Sequence, residues 1–463
     1  AFSAQGLEEI RAARATPTGN RRGRSITVVG EAGLGKSRLL FEFQNWMEAN
    51  PRFHYRFQVR AVEQMTELPY SLLRSLFAMR FLIQNSDNPA TARQKLEEGF
   101  MQFFDHGAQE KVHFIGHLLG YDYSASPYLR TILADIRQIR DRATMYLVEF
   151  FNCAAARQPL VIYLEDIHWA DENSLDLLCQ VQEAASDKPL FLVSMTRPEL
   201  FERYARWGQG KFEHHILTLK PLSKSDTYAL IEDILRKVRR IPSNLREMVA
   251  AEAEGNPFYV EELIKMLIDE RVIIKSNAPD KADEPWRVAS ERLSRLHVPP
   301  TLTGVLQARL DALPPVEREA LQAASVIGRI FWADAVHYLL SNAPDEELRQ
   351  QAAETGNILQ ALNGHELIFQ RRTSTFAASE EFVFKHSILH EVTYETVLKS
   401  SRRIYHGAMA HWLSGHGGER ADEYAGLIAA HFEKAEELTM AAGWYFRAGR
   451  RAASQYAGQD ALA

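Results

Sequence analysis

Residues 25–37 read SITVVGEAGLGKS, and this stretch decides the fold. Ser25 to Val29 form a short β-branched run that ends at Gly30, and apolar residues after Ser37 (Leu39, Leu40, Phe43, Met47) recur at helical spacing. The predicted order is strand, glycine-rich loop, helix. Between them, Gly30, Glu31, Ala32, Gly33, Leu34, Gly35, Lys36 and Ser37 fit every fixed position of the pattern glycine, any four residues, glycine, lysine, serine. Glycines there let backbone amides turn inward around phosphate oxygens, a lysine reaches the β and γ phosphates, and a serine hydroxyl ligates magnesium. With Arg38 beside them, these residues are assigned to ATP or ADP with Mg2+. The competing reading, a plain glycine-rich turn, does not account for the strand before and the helix after.

Outward from this loop, a second strand is expected at Phe53 to Ala61. About ninety residues of helical pattern come next, with stripes through Leu72, Leu76, Phe77 and through Ile132, Ile136, Ile139, which places a helical insertion at 69–150. Leu160 to Leu164, Leu190 to Met195 and Ile216 to Leu219 read as buried parallel strands. Strands alternating with helices predict an α/β P-loop fold, a doubly wound parallel sheet, over residues 1–220. The strand signal stops after Pro221, and helices broken at Gly255-Asn256-Pro257 predict a helical lid over 221–285. The polar stretch Lys275 to Pro285 suits a loop between domains. Helices and then strand-like pieces at Leu367 to Arg371 and Glu381 to Lys385 predict a winged-helix domain over 286–400. Ala-rich helices with aromatic residues then suggest the start of tetratricopeptide-like repeats over 401–463.

A length of 463 residues fits two to four domains, and 46% hydrophobic with 25% charged residues is globular composition. No run reaches the roughly eighteen apolar residues of a membrane span. A net charge of −6 argues against a nucleic-acid-binding surface, so neither a membrane nor a direct nucleic-acid partner is expected. Cys153 and Cys179, the two cysteines, lie in apolar helical patterns, which argues against disulfides and zinc and predicts a cytoplasmic location. The opening AFSAQGLEEIRAARA has neither an initiator methionine nor a signal sequence, so a longer parent chain is expected.

LVIYLED, at 160–166, ends in two acids. A P-loop enzyme needs such residues to hold the metal's water shell and to polarise the attacking water. Glu165 takes the metal-side position and Asp166 the water-orienting one, unless the two share or exchange roles; the alternative is that they cap a helix beginning near Asp171. His168 is read as packed and hydrogen-bonded rather than as a proton carrier. Arg197 stands at the carboxyl end of a strand, where open α/β sheets bind ligands, and is either a γ-phosphate sensor or a surface arginine at a helix start.

The phrases GEAGLGKSRLL, LEDIHWADENSLDLL, SMTRPEL, EGNPFYVEELI, LQARLDALPPVEREALQAASVIGRIF and FKHSILHEVTYETVL, covering most of residues 25–400, resemble the STAND class of signal-transduction ATPases. The branch is the one found between class III adenylate or guanylate cyclase domains and tetratricopeptide repeats, or inside LuxR-type regulators. The resemblance implies a slowly hydrolysing ATP/ADP switch that regulates an output domain in the same parent chain. It also implies protein partners on the repeat-like helices and an ATP-dependent oligomer. The family's glycine-any-proline lid motif falls on Gly255 and Pro257, and its ADP-contacting histidine on His386; a helix-breaking loop and a structural histidine are the alternatives. Two departures stand out. The family's glycine-arginine-glutamate element is missing before Ser25, and the acid pair is Glu-Asp rather than Asp-Asp or Asp-Glu. A transcription regulator of LuxR type and a nucleotide-binding scaffold with negligible turnover remain as other readings.

Overall fold

In the computed structural model the described residues are 6–11, 23–49, 54–66, 68–132, 135–210, 212–275, 285–293, 299–371, 374, 376, 379–416 and 418–455. Five strands form the first sheet: β1 (Arg24–Val29), β2 (Tyr55–Arg60), β3 (Leu160–Glu165), β4 (Leu190–Thr196) and β5 (Glu213–Thr218). Their spatial order is β2-β3-β4-β1-β5, and every pairing is parallel. β3 and β4 are buried along their whole length, as their unbroken apolar runs require. The edge strand β5 is largely exposed and carries Glu213, His214 and His215 at its start, polar residues that discourage pairing with another chain.

One face of the sheet carries the helix Lys36–Ala49, whose Leu39, Leu40, Phe43 and Met47 are buried against β1. The other face holds the insertion between β2 and β3, with helices Ser71–Arg80, Pro89–Met101, Ala108–Leu118 and Ile136–Arg157. Phe57, Phe77, Phe100, Phe150 and Phe151 meet there edge to face or tilted, with ring centroids 4.7 to 6.1 Å apart. Cys153 and Cys179 are free, on Ile136–Arg157 and Glu172–Ala184.

After β5, helices Lys224–Ile234, Ser243–Ala253 and Pro257–Asp269 share a core, joined by the short antiparallel pair β6 (Ile273–Ile274) and β7 (Arg287–Val288). Trp286 and Val288 therefore pack with these helices and not with the C-terminal unit. Most of the polar stretch expected to be a linker, 276–284, lies outside the described residues.

The next unit contains Pro315–Ile327, β8 (Ile330–Trp332), Ala333–Ser341, Thr355–Gly364, β9 (Ile368–Gln370) and β10 (Glu381–Phe384). Its sheet is antiparallel, in the order β8-β10-β9. β8 has three residues and was not legible in the sequence. Helices Ser387–Thr396, Lys399–His416, Ala425–Lys434 and Leu438–Gln455 follow. Among the described residues, no helix is long and apolar enough to cross a membrane.

Candidate functional site

Gly33 and Gly35 have φ of 85° and 91°, values that glycine adopts without strain and that let the loop curl between β1 and its helix. At Gly33 a side chain is also excluded by space, because a Cβ would lie 2.6 Å from Asn256 Oδ1. The Lys36 ammonium donates to the carbonyls of Gly30 (2.5 Å) and Glu31 (3.0 Å). Burial pushes its pKa down to about 8, with Asp166 pulling the other way. Ser37 and Arg38 are exposed at the start of the helix.

Glu165 and Asp166 stand at the carboxyl end of β3, beside the loop. Glu165 is buried, ion-paired with Arg60, and accepts from Gln58 Nε2 at 3.0 Å. Asp166 accepts from Arg329 Nη1 at 2.8 Å and lies 3.6 Å from Arg60 Nε. Burial alone would raise the Asp166 pKa, but Arg60 and Arg329 outweigh it and hold the carboxyl below its ordinary value. Its backbone is left-handed, φ 54°, a conformation that costs a non-glycine residue about 1 kcal/mol or more and is concentrated at functional sites. Neither acid caps the next helix; Asp171 does, accepting from Ser174 N at 2.8 Å.

Arg197 comes directly after β4, whose last carbonyl, that of Thr196, accepts from Gly30 N at 3.2 Å. The guanidinium is mostly buried and bonds Ser387 Oγ and Glu391 Oε1, both at 3.0 Å. Lys36, Arg60, Arg197 and Arg329 thus form an electrostatically connected group around the two carboxylates. Basic side chains thus line the carboxyl end of the sheet beside the loop, where a polyanion could compete with the carboxylates for them.

Asn256 caps the helix Pro257–Asp269, accepting from Phe258 N (3.0 Å) and Tyr259 N (3.3 Å), while its Nδ2 donates to Ala32 O (3.2 Å). Pro257 occupies the first helical turn, where its missing N–H costs nothing. Phe258 N lies 3.4 Å from Gly33 O, and the Phe258 ring meets His386 with centroids 3.7 Å apart. The structure therefore brings Pro257 and His386 together beside the loop. His386 Nε2 is buried with no hydrogen-bond partner among the described residues, and burial pushes its pKa down to about 3. His168 is packed as expected, yet neither ring nitrogen has a hydrogen-bond partner among the described residues. Burial lowers its pKa to about 4.

Sequence reading missed Arg60, Asn256 and Arg329. Arg60 pairs in register with Glu165, so its place at the end of a strand was a usable signal. Asn before Pro is a helix-start signal, and here the Asn carries the contact. Arg329 lies 163 residues from Asp166 and has no local signature.

Ser37 and the two carboxylates are oxygen donors of the kind Mg2+ takes alongside phosphate ligands.

A parallel sheet with a phosphate loop after β1 and acids at the end of β3, one strand (β4) away, defines the P-loop NTPase class. Residues 5–193 match the family described as an AAA ATPase domain, and residues 223–279 match a domain of unknown function (DUF8739). This N-terminal part is a P-loop ATPase domain, in agreement with the resemblance of the motifs to STAND-class ATPases. The chain is 24% identical over 455 residues to an uncharacterized protein of Rhizobium meliloti (strain 1021), covering 94% of this chain and 39% of that protein. It is 22% identical over 275 residues to a peroxide stress-activated histidine kinase of Schizosaccharomyces pombe, covering 58% and 12%. The chain thus spans well under half the length of these curated relatives. Among solved structures it is similar to a Signal Transduction ATPase with Numerous Domains with a tetratricopeptide repeat sensor from Pyrococcus horikoshii, at 13% identity and TM-score 0.44, over 97% of this chain and 53% of that one. The Aeropyrum pernix ORC1 protein, solved with DNA, gives 13% and 0.33 over 85% and 91%.

Proposed function

We propose that this chain is the switch module of a STAND-class signalling protein, which binds ATP or ADP with Mg2+ and hydrolyses ATP slowly. The observation that carries this reading is that separate parts of the chain converge on the phosphate loop and its acids. Asn256 caps the lid helix and bonds Ala32, Arg329 bonds Asp166, and His386 stacks on Phe258. A site built from distant segments is one whose ligand sets how those segments are held.

In this reading Gly30 to Ser37 wrap the phosphates and Lys36 neutralises them. Ser37, with Glu165 or Asp166, would hold Mg2+, which when bound offsets phosphate charge. Asp166, held by Arg60 and Arg329 in this arrangement, orients the attacking water once Arg329 releases it, and Arg197 senses the γ phosphate once it leaves Ser387 and Glu391. Pro257 and His386 belong to the ADP-bound arrangement. The helix and strand order of Pro315–Phe384 supports a winged-helix domain, and the sequentially packed helices of Lys399–Gln455 support a repeat-like partner surface. The output domain, a class III cyclase, and ATP-dependent assembly rest on the motif resemblance alone.

Hydrolysis by Asp166→Asn tests the reading. A water-orienting carboxylate predicts a fall of about 100-fold or more with nucleotide binding retained. A scaffold with negligible turnover predicts no difference from the parent.

A further inference from the structure

The helix Ser71–Arg80 is held at its first turn by the loop after Asp166, and one turn later by the C-terminal helices. Tyr70, just before it, has a left-handed backbone (φ 57°), and its side chain makes no capping bond. The cap comes from Asp171. One carboxylate oxygen accepts from Tyr70 N and Ser174 N, each at 2.8 Å; the other accepts from Leu72 N and Ser71 Oγ, each at 3.1 Å. Asp171 thereby caps Ser71–Arg80 and Glu172–Ala184 at once, and it is almost fully buried. Thr66 Oγ1 donates to Trp169 O at 3.1 Å, so the segment entering the helix also grips the turn that begins at Asp166.

From the same helix Arg74 is ion-paired with Glu423, donates to the carbonyls of Leu119 (3.2 Å) and Gly120 (3.1 Å), and lies over the Tyr121 ring at 4.5 Å. Its side chain is 21% exposed and that of Glu423 13%, so the pair is shielded well beyond an ordinary surface ion pair. Gly120 O also accepts from Arg451 of the helix Leu438–Gln455. Alongside, a Cβ on Gly426 would lie 3.3 Å from Leu68, so the two segments approach closely.

We propose that Ser71–Arg80 is the link through which the nucleotide site and the C-terminal helices sense each other, with Asp171 its inner anchor and the Arg74 to Glu423 pair its outer one. This rests on the nucleotide-switch reading and names how that site is regulated. The two anchors are one helical turn apart, and a single turn held at both ends shifts as a unit. Coupling through such a path is established only by paired substitutions.

The test uses the whole chain and a fluorescent ADP analogue, with dissociation rate and amide hydrogen exchange as readouts. Glu423→Gln and Arg74→Met singly are expected to change ADP dissociation by about 2-fold to 30-fold, and the double variant to change it no further than Arg74→Met alone. Exchange at the Leu72 and Ser174 amides, which share Asp171, should rise in the single variants and rise no further in the double. The proposal is overturned if the single variants loosen Ala425–Lys434 while ADP dissociation and the Leu72 and Ser174 amides stay unchanged, or if the double variant adds the two defects. Should the parent chain bind no nucleotide, the proposed function falls by itself. The link is then decided by the exchange pattern, for or against.

Discussion

Lys36 has the environment of a phosphate ligand without an acid bonded to it: its ammonium rests on two carbonyls, and burial holds its pKa near 8. Below pH 8 the folded protein carries a buried ammonium that the unfolded chain would hold more comfortably. Lys36 therefore destabilises the fold, and that cost is relieved as pH rises from 8 toward 10.5. A bound triphosphate reverses the effect by favouring the charged form. Calorimetry of nucleotide binding in buffers of different ionisation heat should show uptake of about half a proton near pH 8 and almost none near pH 6. Absence of any pH dependence would place the ammonium elsewhere. The residues of the loop were legible because each is fixed by its own chemistry. Arg329 was not, because only the folded chain brings it to Asp166.

At the scale of elements, the three interior strands β1, β3 and β4 and the loop helix were legible because apolar runs and the helical period report burial directly. β8 was invisible: three residues are too few for any period, and it exists because β10 pairs with it. At the helix Pro257–Asp269 one residue, Asn256, both caps the helix and bonds the loop. Asn256→Ala removes the cap, at about 1 kcal/mol, together with the bond to Ala32. Asn256→Asp keeps an oxygen for the cap but loses the donor. Both should speed nucleotide dissociation, and thermal unfolding should show the larger loss for the alanine variant. Equal dissociation in all three proteins would mean that the lid does not report to the loop.

Across the whole molecule, acid and base are exchanged between the P-loop domain and the C-terminal unit: Asp166 takes Arg329, and Arg197 takes Glu391. Arg329→Ala leaves Asp166 with Arg60, so the cost stays at or below about 3 kcal/mol. It should appear as faster hydrogen exchange in Ser387–Thr396 and increased basal hydrolysis, whereas a purely structural arginine would lower stability without raising hydrolysis. No sequence pattern announces these exchanges, because their partners lie far apart in the chain and in different units. Whether the phosphate loop holds a nucleotide, on which every other role depends, is tested most directly by isothermal titration of the intact chain with Mg-ATP and Mg-ADP. Saturable binding of one nucleotide per chain is expected, lost in Lys36→Ala while the fold is retained. Binding unaffected by that substitution, or no binding by the parent chain, would contradict it.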